Sequence, residues 1–185
     1  MFKKIVVIGP ESTGKSTLCE RLAAHYNTLW VKEYAREYLL KNGTDYTFEN
    51  LSDVAKGQLA GEEEGLKLMN EKLKNDNITS DIPLFIDTDM IVMKVWCEFV
   101  FDKCHNWILN EIVERKYDLY LLGNIDAPWV KDELREYPDL PVRERLYKHY
   151  KDIMVNQSVP WVDISGDYEK RLEKAIAAVD KLLKQ

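Results

Sequence analysis

Long apolar runs are missing from this 185-residue chain. No stretch of about 18 apolar residues occurs, which excludes a membrane-spanning helix. No charged-then-apolar segment follows Met1, so no secretory leader is expected. Cysteine is scarce, with only Cys19, Cys97 and Cys104. An odd, widely spaced set builds no disulfide framework and fits the reduced thiols of a cytoplasmic protein. Histidine is equally scarce. Cys104-His105 has no second cysteine–histidine cluster to complete a metal site, so a packed thiol is expected there. Lysine and arginine form no stripe and the formal net charge is −6, so nucleic acid is not an expected partner. Repeats, low-complexity tracts and Pro/Gly/Ser-rich linkers are also absent, leaving one domain over 1–185. What is present is 45% hydrophobic residues, enough for a real core. An exposed apolar patch cannot be seen in a sequence, so the oligomeric state stays open.

The most informative string is Gly9-Pro10-Glu11-Ser12-Thr13-Gly14-Lys15-Ser16, a complete G-x-x-x-x-G-K-[ST] phosphate loop. The apolar run Ile5-Val6-Val7-Ile8 precedes it, and a helical pattern through Leu18, Leu22, Ala23 and Tyr26 follows. Glycines let the backbone curl so that several N–H groups face one anion. The helix N-terminus adds at most about 2 kcal/mol, whereas micromolar affinity needs roughly 8 kcal/mol. Loop amides, the Lys15 ammonium and a metal must supply the rest. Lys15 is expected on the β- and γ-phosphates, the Ser16 hydroxyl on Mg²⁺, and Thr17 near the α-phosphate. ATP and Mg²⁺ are the expected cofactors.

Short apolar strand candidates alternate with helical patterns: Ile5–Ile8, Leu29–Val31, Leu84–Ile86, Leu119–Leu122 and Val159–Ile164. Amphipathic helices are expected over 51–74 and 168–183, and residues 90–101, apolar nearly all round, read as a buried helix. Strands separated by helices pair in parallel with right-handed crossovers. The expected fold is α/β: a three-layer P-loop NTPase/kinase architecture with a five-stranded parallel sheet and a helical lid over about 126–145.

In such sheets ligands sit at the carboxyl ends of the strands. Asp87 ends an apolar run and has the form of the acid that holds the phosphate-loop Mg²⁺; capping the next helix is the alternative. Asp89 is expected as that cap or as a substrate contact. Glu33, after the second strand, could take a proton from a substrate hydroxyl, or simply be a solvated acid in a first helical turn. Arg36, three residues on, could orient Glu33, bind phosphate or form a surface ion pair. Arg135, Arg143 and Arg145, among Pro128, Pro138 and Pro141, suggest an arginine-bearing lid in which Arg143 or Arg145 reaches the γ-phosphate. Ser165-Gly166-Asp167 turns toward the last helix, where the adenine is expected to pass and Asp167 to cap. Trp96, Phe99 and Phe101 are expected in the core. Trp30 and Tyr34 could stack on a flat substrate ring, and Trp129 lies in the expected lid.

Four strings together carry a family resemblance: the phosphate loop through Thr17, Glu33-Tyr34-Ala35-Arg36-Glu37, Phe85-Ile86-Asp87-Thr88-Asp89, and Trp129-Val130-Lys131-Asp132-Glu133-Leu134-Arg135. Nearly the whole chain resembles the ribosylnicotinamide kinase domain of the bacterial bifunctional NAD-biosynthesis regulators. The resemblance implies ATP-dependent phosphorylation of the ribose 5′-hydroxyl of nicotinamide riboside, a small-molecule nucleoside substrate. Larger family members carry a DNA-binding segment and an adenylyltransferase domain before the kinase. With Met1 directly before the first strand, neither is expected here, nor is adenylylation by this chain. The family places an aromatic residue just before the Glu-Tyr pair, to stack on the nicotinamide. Lys32 stands there instead, and an ammonium repels a pyridinium. Trp30, two residues earlier on the same strand face, could substitute; otherwise another nucleoside is the acceptor.

Three other classes remain. A guanine-reading switch needs N-K-x-D after the fourth strand, where this chain has Asn124-Ile125-Asp126. A mechanochemical ATPase needs partner-facing arginines and usually a second helical domain, for which 185 residues leave little room. A binding module without chemistry sits poorly with intact Lys15, Ser16 and Asp87.

Overall fold

A computed structural model describes residues 2–77 and 81–184. Five parallel strands form one sheet: β1 (Phe2–Ile8), β2 (Trp30–Val31), β3 (Ile82–Asp87), β4 (Leu119–Gly123) and β5 (Trp161–Ile164). Their spatial order is β2-β3-β1-β4-β5. The helices are α1 (Lys15–His25), α2 (Tyr34–Asn42), α3 (Phe48–Asn75), α4 (Met90–Phe101), α5 (Asn106–Glu114), α6 (Leu140–Val155) and α7 (Tyr168–Leu183). The expected strands and sheet are present. The 90–101 and 168–183 helices match their expected bounds, and the 51–74 helix is slightly longer.

The strands read as continuous apolar runs because both faces are covered. Alternate side chains still sort to opposite layers. Val6, Ile8, Ile86 and Leu122 join residues of α3, α4 and α6 on one side. Ile5, Val7, Phe85 and Leu121 join α1 and α7 on the other. A third cluster, lying beyond the first, unites α2, α3, α4 and α5 through Ala35, Leu51, Val54, Met93, Cys97 and Ile108. Helix α3 approaches β2 and α2 closely because it offers glycine. A Cβ on Gly65 would fall 2.7 Å from Val31, and one on Gly57 would meet the Tyr34 ring.

The expected helical lid is corrected. Residues 124–139 contain no helix or strand. Leu140 starts α6, with Pro141 in its first turn, where a missing N–H is harmless. Arg143 and Arg145 therefore sit on a core helix. Pro128 and Pro138 and the short polar spacing between Ala127 and Asp139 leave no apolar stripe long enough to fold a helix across the site.

Candidate active site

The strand order places the ends of β1 and β3 side by side, and both feed one crevice. Gly9 turns out of β1 at φ 133°, and a Cβ there would sit 2.8 Å from the Gly123 carbonyl oxygen. Only glycine fits such a backbone so close to β4. Thr13 donates its hydroxyl to the Pro10 carbonyl (2.8 Å), and Gly14 adopts the left-handed conformation that opens α1. Lys15 Nζ rests on the same Pro10 carbonyl at 3.1 Å. The loop is closed on itself, with its charged amine held inside the ring.

A cavity of about 240 Å³ opens beside the loop. Gly9 to Thr17 line it, with Glu33 and Arg36 from the β2 end and Arg135 from the 124–139 segment. Glu33 accepts a hydrogen bond from the Thr88 hydroxyl at 3.3 Å. Arg36 is bidentate to Asp132 at 3.2 and 3.1 Å, so of its expected roles the ion pair is the one formed.

Asp87 lies fully buried at the end of β3, among Lys15, Ser16, Glu33 and Thr88. Burial raises its pKa, the Glu33 charge raises it further, and Lys15 opposes both. Among the described residues, neither Asp87 oxygen has a hydrogen-bond partner of good geometry, although the Ser16 and Thr88 hydroxyls lie beside it. An orphaned buried carboxylate is costly. A divalent cation at Ser16 and Asp87 would remove that cost, so the donor set fits Mg²⁺. Asp87 does not cap α4: Asp89 does, accepting from Ile91 and Val92 N–H at 3.0 and 3.3 Å and from the Tyr120 hydroxyl at 3.0 Å. Burial raises Asp89 to about 7.

The expected ring-stacking residues lie away from the cavity wall. Trp30 packs with Phe85 and Tyr26 on the α1/α7 side of the sheet, and Lys32 Nζ hangs 5.8 Å from its ring. Strand alternation sends both to that face while Val31 points the other way. Tyr34 is turned into the α3 glycine step at Gly57. Trp129 lies under the Arg143 guanidinium, 5.7 Å from ring to charge. Of the two readings of Asp89, the cap is the one formed. Arg145 lies over Phe99 at 4.6 Å. Arg143 is buried and donates to the Ala127 carbonyl at 3.2 Å, with its Nε unpartnered among the described residues. Ser165 takes Lys174 on both its oxygens, at 2.9 and 2.6 Å, and Asp167 caps α7 as expected.

Several functional features escape sequence reasoning. Trp96 and Phe99 pack against the core as expected, and they also line the cavity together with Tyr137. Glu11 and Ser12, expected to bind nucleotide, anchor the 124–139 segment. Glu11 accepts from the N–H groups of Glu136 and Tyr137, and Ser12 Oγ accepts from Val130 N–H at 3.0 Å. Arg171, read as one position of an amphipathic helix, is a buried pin. It donates to the carbonyls of Thr13, Asn124 and Gly166 at 3.1, 2.8 and 2.7 Å and pairs with Asp126. An arginine interrupting the apolar stripe of 168–183 was the available signal.

An AAA domain model matches residues 4–171. The chain belongs to the AAA domain family. It is similar to the trifunctional NAD biosynthesis/regulator protein NadR. Identity is 26% over 183 residues to the Salmonella typhimurium protein and 26% over 186 to the Escherichia coli one. Each match covers 98% of this chain and 43% of the relative, so the chain spans less than half the length of the curated relatives it matches. A crystal structure of NadR in complex with NR superposes with TM-score 0.78 at 23% identity, over 99% of this chain and 50% of that one. Thymidylate kinase from Ehrlichia chaffeensis gives TM-score 0.61 at 15% identity, over 96% and 98%. This AAA domain thus has the fold of P-loop kinases. Among its described residues, no helix is long and apolar enough to cross a membrane.

Proposed function

We propose that this chain is a kinase that transfers the γ-phosphoryl group of ATP to the ribose 5′-hydroxyl of nicotinamide riboside, giving nicotinamide mononucleotide and ADP. The observation that carries the reading is the carboxylate pair at the inner end of the phosphate loop. Glu33 lines the cavity where an acceptor can reach, and Asp87 lies behind it with both oxygens unpartnered. Similarity to NadR over 98% of the chain supplies the acceptor's identity.

Each residue then has a task. The loop amides and Lys15 hold the β- and γ-phosphates, and Lys15 leaves the Pro10 carbonyl to do so. Ser16 and Asp87 would hold Mg²⁺, which would supply positive charge beside the phosphoryl oxygens. Glu33 orients the acceptor hydroxyl and takes its proton as the oxygen attacks phosphorus. The Thr88 hydroxyl keeps that carboxylate aimed. Arg36 and Arg135 lie at the cavity wall, where either can meet phosphate oxygens once Arg36 exchanges Asp132 for them. Arg143, within reach of the Glu11 charge, and Arg145, over Phe99, lie beside the cavity but not on its wall, so neither is placed in the chemical step. The 124–139 segment excludes water.

The test is ADP release with ATP, Mg²⁺ and a nucleoside panel that includes nicotinamide riboside. Release stimulated by that acceptor, and abolished in Lys15→Ala, supports the reading. Release indifferent to every acceptor contradicts it and favours a regulatory or mechanochemical ATPase.

A further inference from the structure

The cavity has two ends of different chemistry. One carries Lys15, Ser16 and Glu33; the other is walled by Leu39, Val92, Val95, Trp96 and Phe99. A nucleoside has the same division, a polar ribose and a flat ring. The residues expected to take the ring cannot do so from where they stand. Trp30 and Lys32 face the opposite side of the sheet, and Tyr34 is turned into α3.

We infer that Trp96, backed by Phe99, is the face on which the acceptor's ring stacks. The assignment rests on the nucleoside-kinase reading and names the residues that would set its acceptor preference. Three observations carry it. Trp96 is only partly buried and borders the cavity, although its neighbours Val95 and Cys97 are buried. Its indole is fixed: Nε1 donates to the Tyr46 hydroxyl at 2.9 Å, and Tyr46 braces it edge-on with centroids 5.0 Å apart. With its one polar atom satisfied outside the cavity, the indole has only apolar surface left to offer a ligand. Finally, Tyr46 donates to Glu136 at 2.7 Å, and Glu136 N–H reaches Glu11 of the phosphate loop at 3.1 Å. The ring wall is thus tied to the phosphate loop through the covering segment, which fixes the distance between the two ends of the site.

Indole is the best aromatic face for a cation. A pyridinium ring gains from it, and the ammonium of Lys32 stands on the other face of the sheet.

The test is steady-state kinetics of Trp96→Leu and Trp96→Phe with nicotinamide riboside and with methyl riboside, which lacks the ring. Calorimetric binding of nicotinamide riboside and a thermal melt accompany them. The expected result for Trp96→Leu is a KM or Kd for nicotinamide riboside raised at least tenfold, with the KM for ATP unchanged. Trp96→Phe should fall between Trp96→Leu and wild type. Methyl riboside should be used equally by all three proteins. Wild-type affinity in Trp96→Leu, or an equal loss with methyl riboside, overturns the inference. If the wild type binds nicotinamide riboside but never phosphorylates it, the kinase reading fails while the Kd comparison still decides the stacking. Absence of any binding to wild type overturns the stacking directly.

Discussion

Asp87 is buried with nothing of good geometry to bind among the described residues, and that makes it a titration probe of the proposed metal site. A carboxyl with a raised folded pKa stabilises the fold most below its ordinary value near 4. That contribution is lost as pH rises through the folded value of about 7. Asp87→Asn has no charge to bury. In metal-free buffer at pH 8 it should melt above wild type, on the order of 5 °C higher, with the gap closing toward pH 4. Asp89 titrates in the same range in both proteins, so it cancels from the difference. Adding Mg²⁺ and nucleotide should raise the melting temperature of wild type and much less that of Asp87→Asn. Equal melting at every pH would mean Asp87 is not a strained acid. Glu33→Gln should lower kcat at least tenfold, about 1.4 kcal/mol, with little change in ATP affinity; an unchanged kcat would remove it as the proton acceptor. Arg171→Met leaves three carbonyls and Asp126 without their donor and should cost about 2–4 kcal/mol in denaturant unfolding.

Helix α4 explains where sequence reading stopped. Its sequence is apolar nearly all round, Lys94 and Glu98 apart, because it meets three partners: the sheet layer through Val92 and Val95, the α3/α5 cluster through Met93 and Cys97, and the cavity through those valines with Trp96 and Phe99. Apolarity marks burial against protein or ligand alike, so periodicity could not separate a core tryptophan from a cavity tryptophan. The same limit applies to β2. Two residues of regular strand were too few to fix which face Trp30 takes, and its packing against Phe85 decides it. The covering segment was found as arginines and prolines between two strands. Its form was not, since it has no periodicity of its own and is held by backbone N–H groups donating to Glu11 and Ser12. Glu11→Ala should therefore loosen it. Hydrogen exchange at the Glu136 and Tyr137 amides should speed up at least tenfold, while exchange in β1 and β3 stays unchanged. Protection equal to wild type would show that other contacts hold the segment.

Across the whole molecule, the sheet was readable because its signals are local and strong. Each strand is a short apolar run with a polar end, and parallel pairing follows from the helices between them. The phosphate loop and Asp87 are readable for the same reason, each sitting directly at a strand's carboxyl end. What a sequence does not carry is the meeting of distant segments. Glu33 with Thr88, Trp96 with Tyr46 and Glu136, and Arg171 with Thr13 are each separated by dozens of residues and come together only in the fold. The strand order brings the β1, β2 and β3 ends to one crevice, where the proposed reaction would set a phosphoryl donor beside a hydroxyl acceptor. The decisive measurement is the product itself. Mass spectrometry of a reaction holding ATP, Mg²⁺ and nicotinamide riboside should find one phosphate added to the nucleoside for each ADP formed. ADP accumulating with the nucleoside unmodified would contradict it.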